Sequence, residues 1–268
     1  MIEPYYNSRD NDFTLYKGDC RSIVPFLNGE FDMIFADPPY FLSNGGISIQ
    51  AGKVVCVDKG GWDVSKGYGE DLAFNREWLS ACRGKLTDGG TIWVCGTFHN
   101  IFSVANALTE LGYRILNAVT WQKTNPPPNL SCRFFTHSTE ILVWARKSKK
   151  VPHYYNYDLM RKLAGDRQMT DVWRMSAIAP WEKICGKHPT QKPLALVVRA
   201  ILASTKDKAR ILDPFTGSST TGIAANLLSR TFVGIDSEPS YLDMSISRRE
   251  LLPTMADEWR GKIHDLIV

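Results

Sequence analysis

The stretch RILDPFTGSSTTGIAANLLSRTFVGID, residues 210–236, decides the fold class. It contains a short apolar run at Arg210–Leu212, a turn of small residues, an amphipathic stretch at Thr221–Leu228 and a second apolar run at Thr231–Ile235. A strand, a helix and a strand in this order predict a parallel βαβ unit. The small residues of the turn let the backbone approach a ligand closely.

Five more apolar runs of strand length precede this unit. They are Phe13–Tyr16, Phe31–Phe35, Thr91–Cys95, Ile115–Trp121 and Glu140–Ala145. Helical patterns are found at Phe74–Lys85, Asn100–Leu111 and Leu194–Ser204. The alternation predicts an α/β fold with a mostly parallel, seven-stranded sheet and helices on both faces. Such sheets bind ligands at the carboxyl ends of their strands, so the residues after each strand are the candidates for a site.

The composition is that of a globular protein. Of the 268 residues, 44% are hydrophobic and 22% are charged, which excludes a disordered chain and a small disulfide scaffold. No apolar run reaches the roughly 18 residues of a membrane helix, and the polar N-terminus does not resemble a signal peptide. We therefore expect a cytoplasmic protein. Six cysteines are present without a C-x-x-C pair, so we expect reduced thiols and no metal site.

Positive charge is concentrated in Arg146–Lys187. This segment has ten Lys or Arg and four Asp or Glu, so its net charge is +6. The whole chain has a net charge of +4, so the other residues together carry −2. Aromatic residues are interleaved with these charges, which is typical of a polyanion-binding surface, although a solvated connector fits the charge equally well. We expect this segment to be an insertion at one end of the sheet. The glycine-rich stretch Phe41–Tyr68 predicts a long functional loop.

The tetrapeptide Asp37-Pro38-Pro39-Tyr40 directly follows the second apolar run. Its two prolines lack an N–H, so they end the ladder and form a stiff turn. We expect the Asp37 carboxylate and the Pro38 carbonyl to face the same space beside the Tyr40 ring. Two acceptors and a flat aromatic face suit a planar ring with an exocyclic amino group. The alternative is a rigid turn capped by an aspartate.

This tetrapeptide, taken with D-P-F-x-G-S-x-T-T at residues 213–221, resembles the amino-methyltransferases that act on DNA bases. The resemblance implies that Asp37, Pro38, Pro39 and Tyr40 are catalytic and hold a flipped adenine. Hydrogen bonds to Asp37 and the Pro38 carbonyl favour a pyramidal amino nitrogen, which can attack a sulfonium methyl group. This chemistry needs no metal.

The same resemblance assigns S-adenosylmethionine as the cofactor. H-P-T-Q-K-P at residues 188–193 is expected beside its methionine end, and G-D-C at 18–20 beside its adenine, although Asp19 fits a helix cap equally well. Asp236 ends a strand about 20 residues after the glycine turn, a spacing that suits a ribose diol. The full set of expected cofactor residues is Asp19, Cys20, Asp37, His188, Thr190, Lys192, Asp213, Pro214, Phe215, Gly217, Ser218, Ser219, Thr220 and Asp236. The family usually has glycine at the position of Ser219, which leaves the closeness of approach open there.

The order of the motifs is typical of the β group of the family. It implies a circularly permuted, Rossmann-like sheet with a catalytic half at 1–145, a target-recognition insertion at 146–187 and a donor-binding half at 188–268. The stretches FADPPYFLSNGGIS, TWQKTNPPPNLSCRFFTHSTE and HYYNYDLM resemble the second methyltransferase of DpnII-type restriction systems, which modifies adenine in GATC.

The resemblance also implies DNA as the partner. Residues expected near DNA or the flipped base are Phe41, Arg133, Phe135, His137, Lys147, Lys149 and Lys150. The lysines also fit an ordinary charged turn. A restriction endonuclease and a sister methyltransferase are functional partners of such systems, and either a monomer or a homodimer is expected.

Several other functions are compatible with parts of the pattern. Cytosine-N4 methylation uses the same chemistry, but the family's cytosine members more often carry Ser at position 37. An RNA substrate stays open, whereas a protein glutamine substrate fits an N-P-P-Y variant better. A non-catalytic DNA-binding module is disfavoured by the intact Asp37, Tyr40, Gly217 and Asp236. A nicotinamide dehydrogenase is least favoured, since G-x-G-x-x-G is missing from the sequence.

Overall fold

The computed structural model describes residues 2–42, 47–50, 53–56, 63–186 and 188–267. The strands are β1 (Tyr6–Asn7), β2 (Phe13–Lys17), β3 (Phe31–Ala36), β4 (Ile47–Gln50), β5 (Lys53–Cys56), β6 (Leu86–Gly96), β7 (Arg114–Lys123), β8 (Thr139–Arg146), β9 (Val172–Met175), β10 (Arg210–Asp213) and β11 (Thr231–Asp236). The helices are α1 (Cys20–Ile23), α2 (Tyr68–Lys85), α3 (Ile101–Glu110), α4 (Tyr157–Leu163), α5 (Leu194–Ser204), α6 (Thr220–Leu227) and α7 (Pro239–Ile267). None of the described helices combines the length and the hydropathy that crossing a bilayer requires.

Nine strands form the main sheet in the order β1-β2-β11-β10-β3-β6-β8-β7-β9, and β4 and β5 form a separate hairpin. The pairs β2·β11, β11·β10, β10·β3, β3·β6 and β7·β9 are parallel, whereas β8 runs antiparallel to both of its neighbours. The predicted α/β class and all seven predicted strands are confirmed. The sheet has two strands more than predicted, the short edge strands β1 and β9.

Alternating residues of the strands form two cores. In β3, Met33 and Phe35 pack on one face, and Ile34 and Ala36 on the other, as the period of two requires. Helices α5, α6 and α7 cover the first face, and α1, α2 and α3 cover the second. Helices on both faces are therefore confirmed. Because β2, β11, β10, β3 and β6 are parallel, their carboxyl ends lie at a common edge.

Some elements differ from the sequence prediction. Helix α2 begins six residues earlier than predicted and ends at Lys85, as predicted. Residues 87–90, TDGG, lie in the irregular start of β6, where a bulge shifts the register against β3. Helix α7 is not predicted from the sequence, since Pro253 lies inside it. The stretch expected to be a functional loop contains the hairpin β4–β5, and its residues 43–46, 51–52 and 57–62 lie outside the described residues.

The basic segment contributes to the sheet. Its Val172–Met175 pairs in parallel with β7 as the ninth strand, and its Asn156 caps α4 by accepting a hydrogen bond from the Leu159 amide. Arg146, at its start, is the last residue of β8. The segment is thus partly an edge of the main sheet, and its role in target recognition stays a prediction.

Candidate active site

An aspartate follows or ends each of four adjacent parallel strands. In sheet order these are Asp19 after β2, Asp236 in β11, Asp213 in β10 and Asp37 after β3. Because neighbouring strands are about 4.8 Å apart, the row spans roughly 14 Å of the carboxyl edge. The sheet topology thus brings together two motifs that are separated by more than half of the chain.

One cavity runs along this row. Its volume is about 520 Å³, within the usual size range of small-molecule sites. Most of the expected cofactor residues line it, namely Asp19, Cys20, Asp37, His188, Thr190, Lys192, Asp213, Pro214, Phe215, Gly217, Ser218, Thr220 and Asp236. Ser219 does not line it. Phe41, expected near DNA, lies in the cavity wall, where its ring packs edge-on against Phe74 at 6.0 Å.

The glycine turn is held by the acids on either side of it. Gly217 has a φ of 49°, and its amide donates to Asp236 Oδ2 at 2.8 Å. Asp236 Oδ1 accepts from the Glu238 amide at 2.9 Å, and burial raises the pKa of this carboxyl. Asp213 accepts from the Phe215 amide and from the Thr221 hydroxyl, and burial raises its pKa to about 7. Asp213 therefore fixes the shape of the turn.

Two residues of helix α7 form hydrogen bonds to the same turn. Ser245 Oγ donates to the Gly217 carbonyl at 2.9 Å, and the buried Arg248 guanidinium donates to the carbonyl and the hydroxyl of Ser218. The sequence analysis misses both residues, since their partners are 28 and 30 residues away. Hydrogen bonds within the protein thus hold the turn without the help of a ligand.

Ser219 shows why the family prefers glycine at its position. Its φ is 54°, in the left-handed region, and its side chain is fully buried. Its hydroxyl lies 2.9 Å from Thr216 Oγ1, a local hydrogen bond that helps a serine to tolerate this conformation. The chain therefore keeps the backbone path without the glycine.

The His188 ring lies against Gly217 in the wall of the cavity. A Cβ at Gly217 would lie 2.8 Å from His188 Nε2, so only glycine leaves room for this ring. Burial lowers the pKa of His188 to about 4, and the charges of Lys192 and Arg248 act in the same direction. The imidazole is therefore neutral at physiological pH, which suits a position expected beside a sulfonium cation.

Asp19 acts as a helix cap. Its carboxylate accepts from the Arg21 amide at 2.8 Å at the start of α1, and it pairs with the Arg21 guanidinium at 2.6 Å. Hydrogen bonding to Arg21 lowers the pKa of Asp19. Asp19 also lines the cavity, so capping and the expected contact with the donor's adenine are compatible.

The D-P-P-Y corner presents Asp37 to the cavity. The Tyr40 hydroxyl donates to Asp37 Oδ1 at 2.7 Å, and Lys192 Nζ donates to Oδ2 at 2.6 Å. Burial raises the pKa of Tyr40 well above its usual value, and Asp37 and Glu140 raise it further, so the phenol stays a donor. Pro39 lines the cavity, whereas Pro38 and Tyr40 are buried and do not. Stacking of a base on Tyr40 stays a prediction.

A buried aspartate that the sequence analysis misses holds this corner. Asp63 is fully buried and accepts hydrogen bonds from the amides of Tyr40 and Phe41 at 2.8 Å and from that of Leu42 at 3.2 Å. These contacts accompany the left-handed φ of 58° at Phe41. One side chain therefore binds three consecutive backbone amides directly after the prolines.

Lys192 lines the cavity, and its ammonium group is paired within the protein. Nζ lies 2.6 Å from Asp37 Oδ2 and 3.6 Å from Glu140 Oε2. Burial alone lowers the pKa of Lys192, but the charges of Asp37 and Glu140 outweigh it and raise this pKa. Lys192 is thus an ammonium whose charge is compensated within the protein.

Three of the expected DNA residues lie at the same edge of the sheet. Arg133, Phe135 and His137 belong to the loop between β7 and β8, which leaves β7 at the edge that carries Asp37. Phe135 is 95% exposed, and the ring of His137 stacks on Phe98 at 5.1 Å. An exposed aromatic surface therefore lies next to the site.

The three expected DNA lysines lie elsewhere. Because β8 is antiparallel to β6, with Ile141 beside Gly96 and Arg146 beside Thr91, residues 147–150 follow the opposite edge of the sheet. Five residues of strand put that edge about 16 Å from the site. Lys147 is also engaged by Asp88 and the Leu86 carbonyl, while Lys149 and Lys150 are exposed. The structure does not bring these lysines to the site.

Substitution of Asp236 by alanine is expected to weaken S-adenosylmethionine binding by roughly 10- to 100-fold, since a charged acceptor and its anchor on the Gly217 amide are lost. Isothermal titration calorimetry measures the change. Asp236→Asn, which keeps one oxygen acceptor, should lose less. An unchanged dissociation constant in Asp236→Ala would reject the ribose contact.

The chain is similar to known proteins over nearly its whole length. A family model described as DNA methylase matches residues 31–247. The Type II methyltransferase M2.MboI of Moraxella bovis is 50% identical, over 99% of this chain and 98% of that protein. The Type II methyltransferase M2.DpnII of Streptococcus pneumoniae is 54% identical over 93% of each.

Solved structures agree with this relationship. The structure of an M1.HpyAVI–SAM complex superposes with a TM-score of 0.68 and 26% identity, over 88% of this chain and 98% of that one. The PvuII cytosine-N4-specific DNA methyltransferase has a TM-score of 0.72 at 18% identity, a likeness of fold alone. The expected resemblance, fold and cofactor are confirmed: the chain belongs to the DNA methylase family and is an S-adenosylmethionine-dependent DNA methyltransferase.

Proposed function

We propose that this enzyme methylates the N6 amino group of adenine within GATC and that Asp37 and the Pro38 carbonyl hold that amino group. The reaction is methyl transfer from S-adenosylmethionine to adenine N6 in DNA. One observation carries the assignment of residues. The Asp37 carboxylate, 17% exposed, lies on the wall of the cavity that also contains the Gly217 turn. Donor and amino group can therefore meet at one point.

The cavity fits the cofactor. The Gly217 turn gives close backbone access, and Asp236 supplies a carboxylate at the spacing that suits a ribose. Neutral His188 adds no positive charge near the sulfonium end. When bound there, S-adenosylmethionine supplies an electrophilic methyl group.

The corner residues orient the nucleophile. The Asp37 carboxylate is fixed by donors on both of its oxygens and can accept one N–H of the adenine amino group. The Pro38 carbonyl is the proposed acceptor of the other N–H, although Pro38 is buried and does not line the cavity. Both acceptors favour a localised nitrogen lone pair that points at the methyl group. Asp63 and Asn100, whose side-chain amide donates to the Pro39 carbonyl at 3.4 Å, keep the corner from moving.

The DNA-facing surface starts from Arg133, Phe135 and His137. The two aromatic rings suit contact with bases near the flipped adenine, and the exposed guanidinium suits a phosphate. Residues 146–187 begin at the edge of the sheet opposite to Asp37 and return toward the Asp37 edge through β9. We assign target recognition to this segment. The catalytic half, 1–145, and the donor-binding half, 188–268, form one continuous sheet.

GATC and the biological partners rest on the relatives. The relatives are the Type II methyltransferases M2.MboI and M2.DpnII, and the sequence resembles the second methyltransferase of DpnII-type restriction systems. We infer that this enzyme protects DNA in the cytoplasm together with a sister methyltransferase and against a restriction endonuclease. No physical contact between these proteins is required, and a monomer or a homodimer is compatible with this role.

The test is incubation with labelled S-adenosylmethionine and short oligonucleotides that do or do not contain GATC, followed by nucleoside analysis. Labelled N6-methyladenosine only from GATC oligonucleotides is the expected result. Label in N4-methylcytosine would establish the cytosine alternative, and labelled adenine without GATC would reject the target sequence.

A further inference from the structure

A buried cluster of ionisable side chains lies directly behind Asp37. It contains Asp37, Tyr40, Glu140, Lys192 and Lys123. Glu140 is central, since its Oε2 lies 3.3 Å from the Tyr40 hydroxyl and 3.6 Å from Lys192 Nζ, and its Oε1 lies 2.6 Å from Lys123 Nζ. The Glu140 side chain is 12% exposed. The corner motif accounts for Asp37 and Tyr40, but the described function assigns nothing to Glu140 or Lys123.

The charges of this cluster balance. Burial alone raises the pKa of Glu140, but Lys192 and Lys123 outweigh it and hold this pKa below its usual value. Two carboxylates therefore face two ammonium groups, and the phenol is neutral. Lys192 divides its charge between Asp37 and Glu140 and does not act on Asp37 alone.

This balance matters for the chemistry at Asp37. Methyl transfer breaks the S–CH3 bond, leaves a neutral thioether and moves the positive charge onto the adenine nitrogen beside Asp37, until one amino proton is lost to solvent. An uncompensated ammonium behind Asp37 would oppose that charge and bind the carboxylate lone pairs more strongly. Such fixed charges are only weakly screened here, because the side chains of Lys192, Asp37 and Glu140 are largely buried.

We propose that Glu140 is a positioning residue for methyl transfer: by compensating Lys192, it keeps the Asp37 carboxylate available to the adenine amino group. The proposal rests on the proposed role of Asp37. Lys123 anchors Glu140 and in turn compensates its charge. The cluster therefore works as one neutral unit, and neither Glu140 nor Lys123 lines the cavity.

The experiment compares charge-changing with charge-compensated variants. Glu140→Gln leaves the cluster with an excess of one positive charge, and kcat is expected to fall roughly 10- to 100-fold. The KM for DNA and the dissociation constant of S-adenosylmethionine, measured by calorimetry, should stay within about twofold. The double variant Glu140→Gln/Lys123→Gln is neutral again and should regain about tenfold in kcat, within the range of coupling between contacting residues.

Three outcomes overturn the proposal. The first is a wild-type kcat in Glu140→Gln, and the second is an effect of this variant on KM alone. The third is a double variant that is no faster than the single variant, which would indicate a purely structural role for Glu140. Glu140→Gln/Lys123→Met serves as a second compensated variant, and thermal unfolding identifies folded proteins. If neither double variant folds, the kcat-against-KM split of the single variant decides. Glu110→Gln, which alters an exposed ion pair with Arg76, is the matched control and should leave kcat unchanged.

The outcome is separable from failure of the proposed function. If Asp37→Ala retains activity, the role of Asp37 is wrong, whatever Glu140 does. If Asp37→Ala is inactive and Glu140→Gln is normal, only the positioning role is wrong.

Discussion

Asp37→Ala should lower the rate of methyl transfer by roughly 1,000-fold, at the upper end of the losses seen when one preorganised polar group is removed from an active site. The variant removes one of the two acceptors for the adenine amino group. It also leaves the Lys192 ammonium, now paired with Glu140 alone, at the point where positive charge develops. Single-turnover transfer of labelled methyl groups to a GATC duplex measures the loss.

Binding of the cofactor provides the control for this variant. The Gly217 turn and Asp236 do not depend on Asp37, so calorimetry should give a dissociation constant for S-adenosylmethionine within a few-fold of the wild type. Asp37→Asn keeps one oxygen acceptor and the size of the side chain, and it should lose less than alanine. Turnover near the wild-type rate in Asp37→Ala would refute the role of this carboxylate.

Asp63→Ala is expected to have the second largest effect, on stability and on activity together. Three backbone amides, of Tyr40, Phe41 and Leu42, lose a buried charged acceptor. Leaving buried donors unsatisfied at this level costs about 3 to 5 kcal/mol in the free energy of unfolding. Because the corner also loses its clamp, the transfer rate should fall roughly 100-fold at temperatures where the protein is still folded.

Urea unfolding and single-turnover kinetics check the two effects. Asp71→Ala is the matched control, since Asp71 accepts from the Lys66 amide and the Ser65 hydroxyl in the same region but is only partly buried. It should cost about 1 kcal/mol. Equal losses in both variants would contradict a special role for Asp63.

The sequence predicts the parts of the fold that local patterns determine. Seven strands follow from apolar runs, and the glycine turn follows from its small residues. The bounds of α5 follow from its helical pattern and from Pro193 directly before it. Strand β9 escapes prediction because VWRM is a short, half-exposed edge strand within a basic segment. Helix α7 escapes because its 29 residues contain a proline and many charges.

The candidate site was predictable only where a motif carried it. Asp63 lies more than 20 residues from its partners, in a stretch without periodicity, and Lys192 meets Asp37 across 155 positions. The lysines at 147, 149 and 150 were expected near DNA because of their charge. A charge count does not reveal that β8 is antiparallel to its neighbours, so that the residues after it lie at the opposite edge of the sheet.

The interleaved order of β11, β10 and β3 has a consequence for synthesis of the enzyme. β10 pairs with β3 although about 180 positions separate them, and the turn after β10 also needs Asp236, Ser245 and Arg248, which come later still in the chain. A nascent chain on the ribosome therefore carries the Asp37 corner long before it has anywhere to hold a methyl donor. Modification of DNA can begin only after Arg248 has been translated, and products terminated before this residue should be inert.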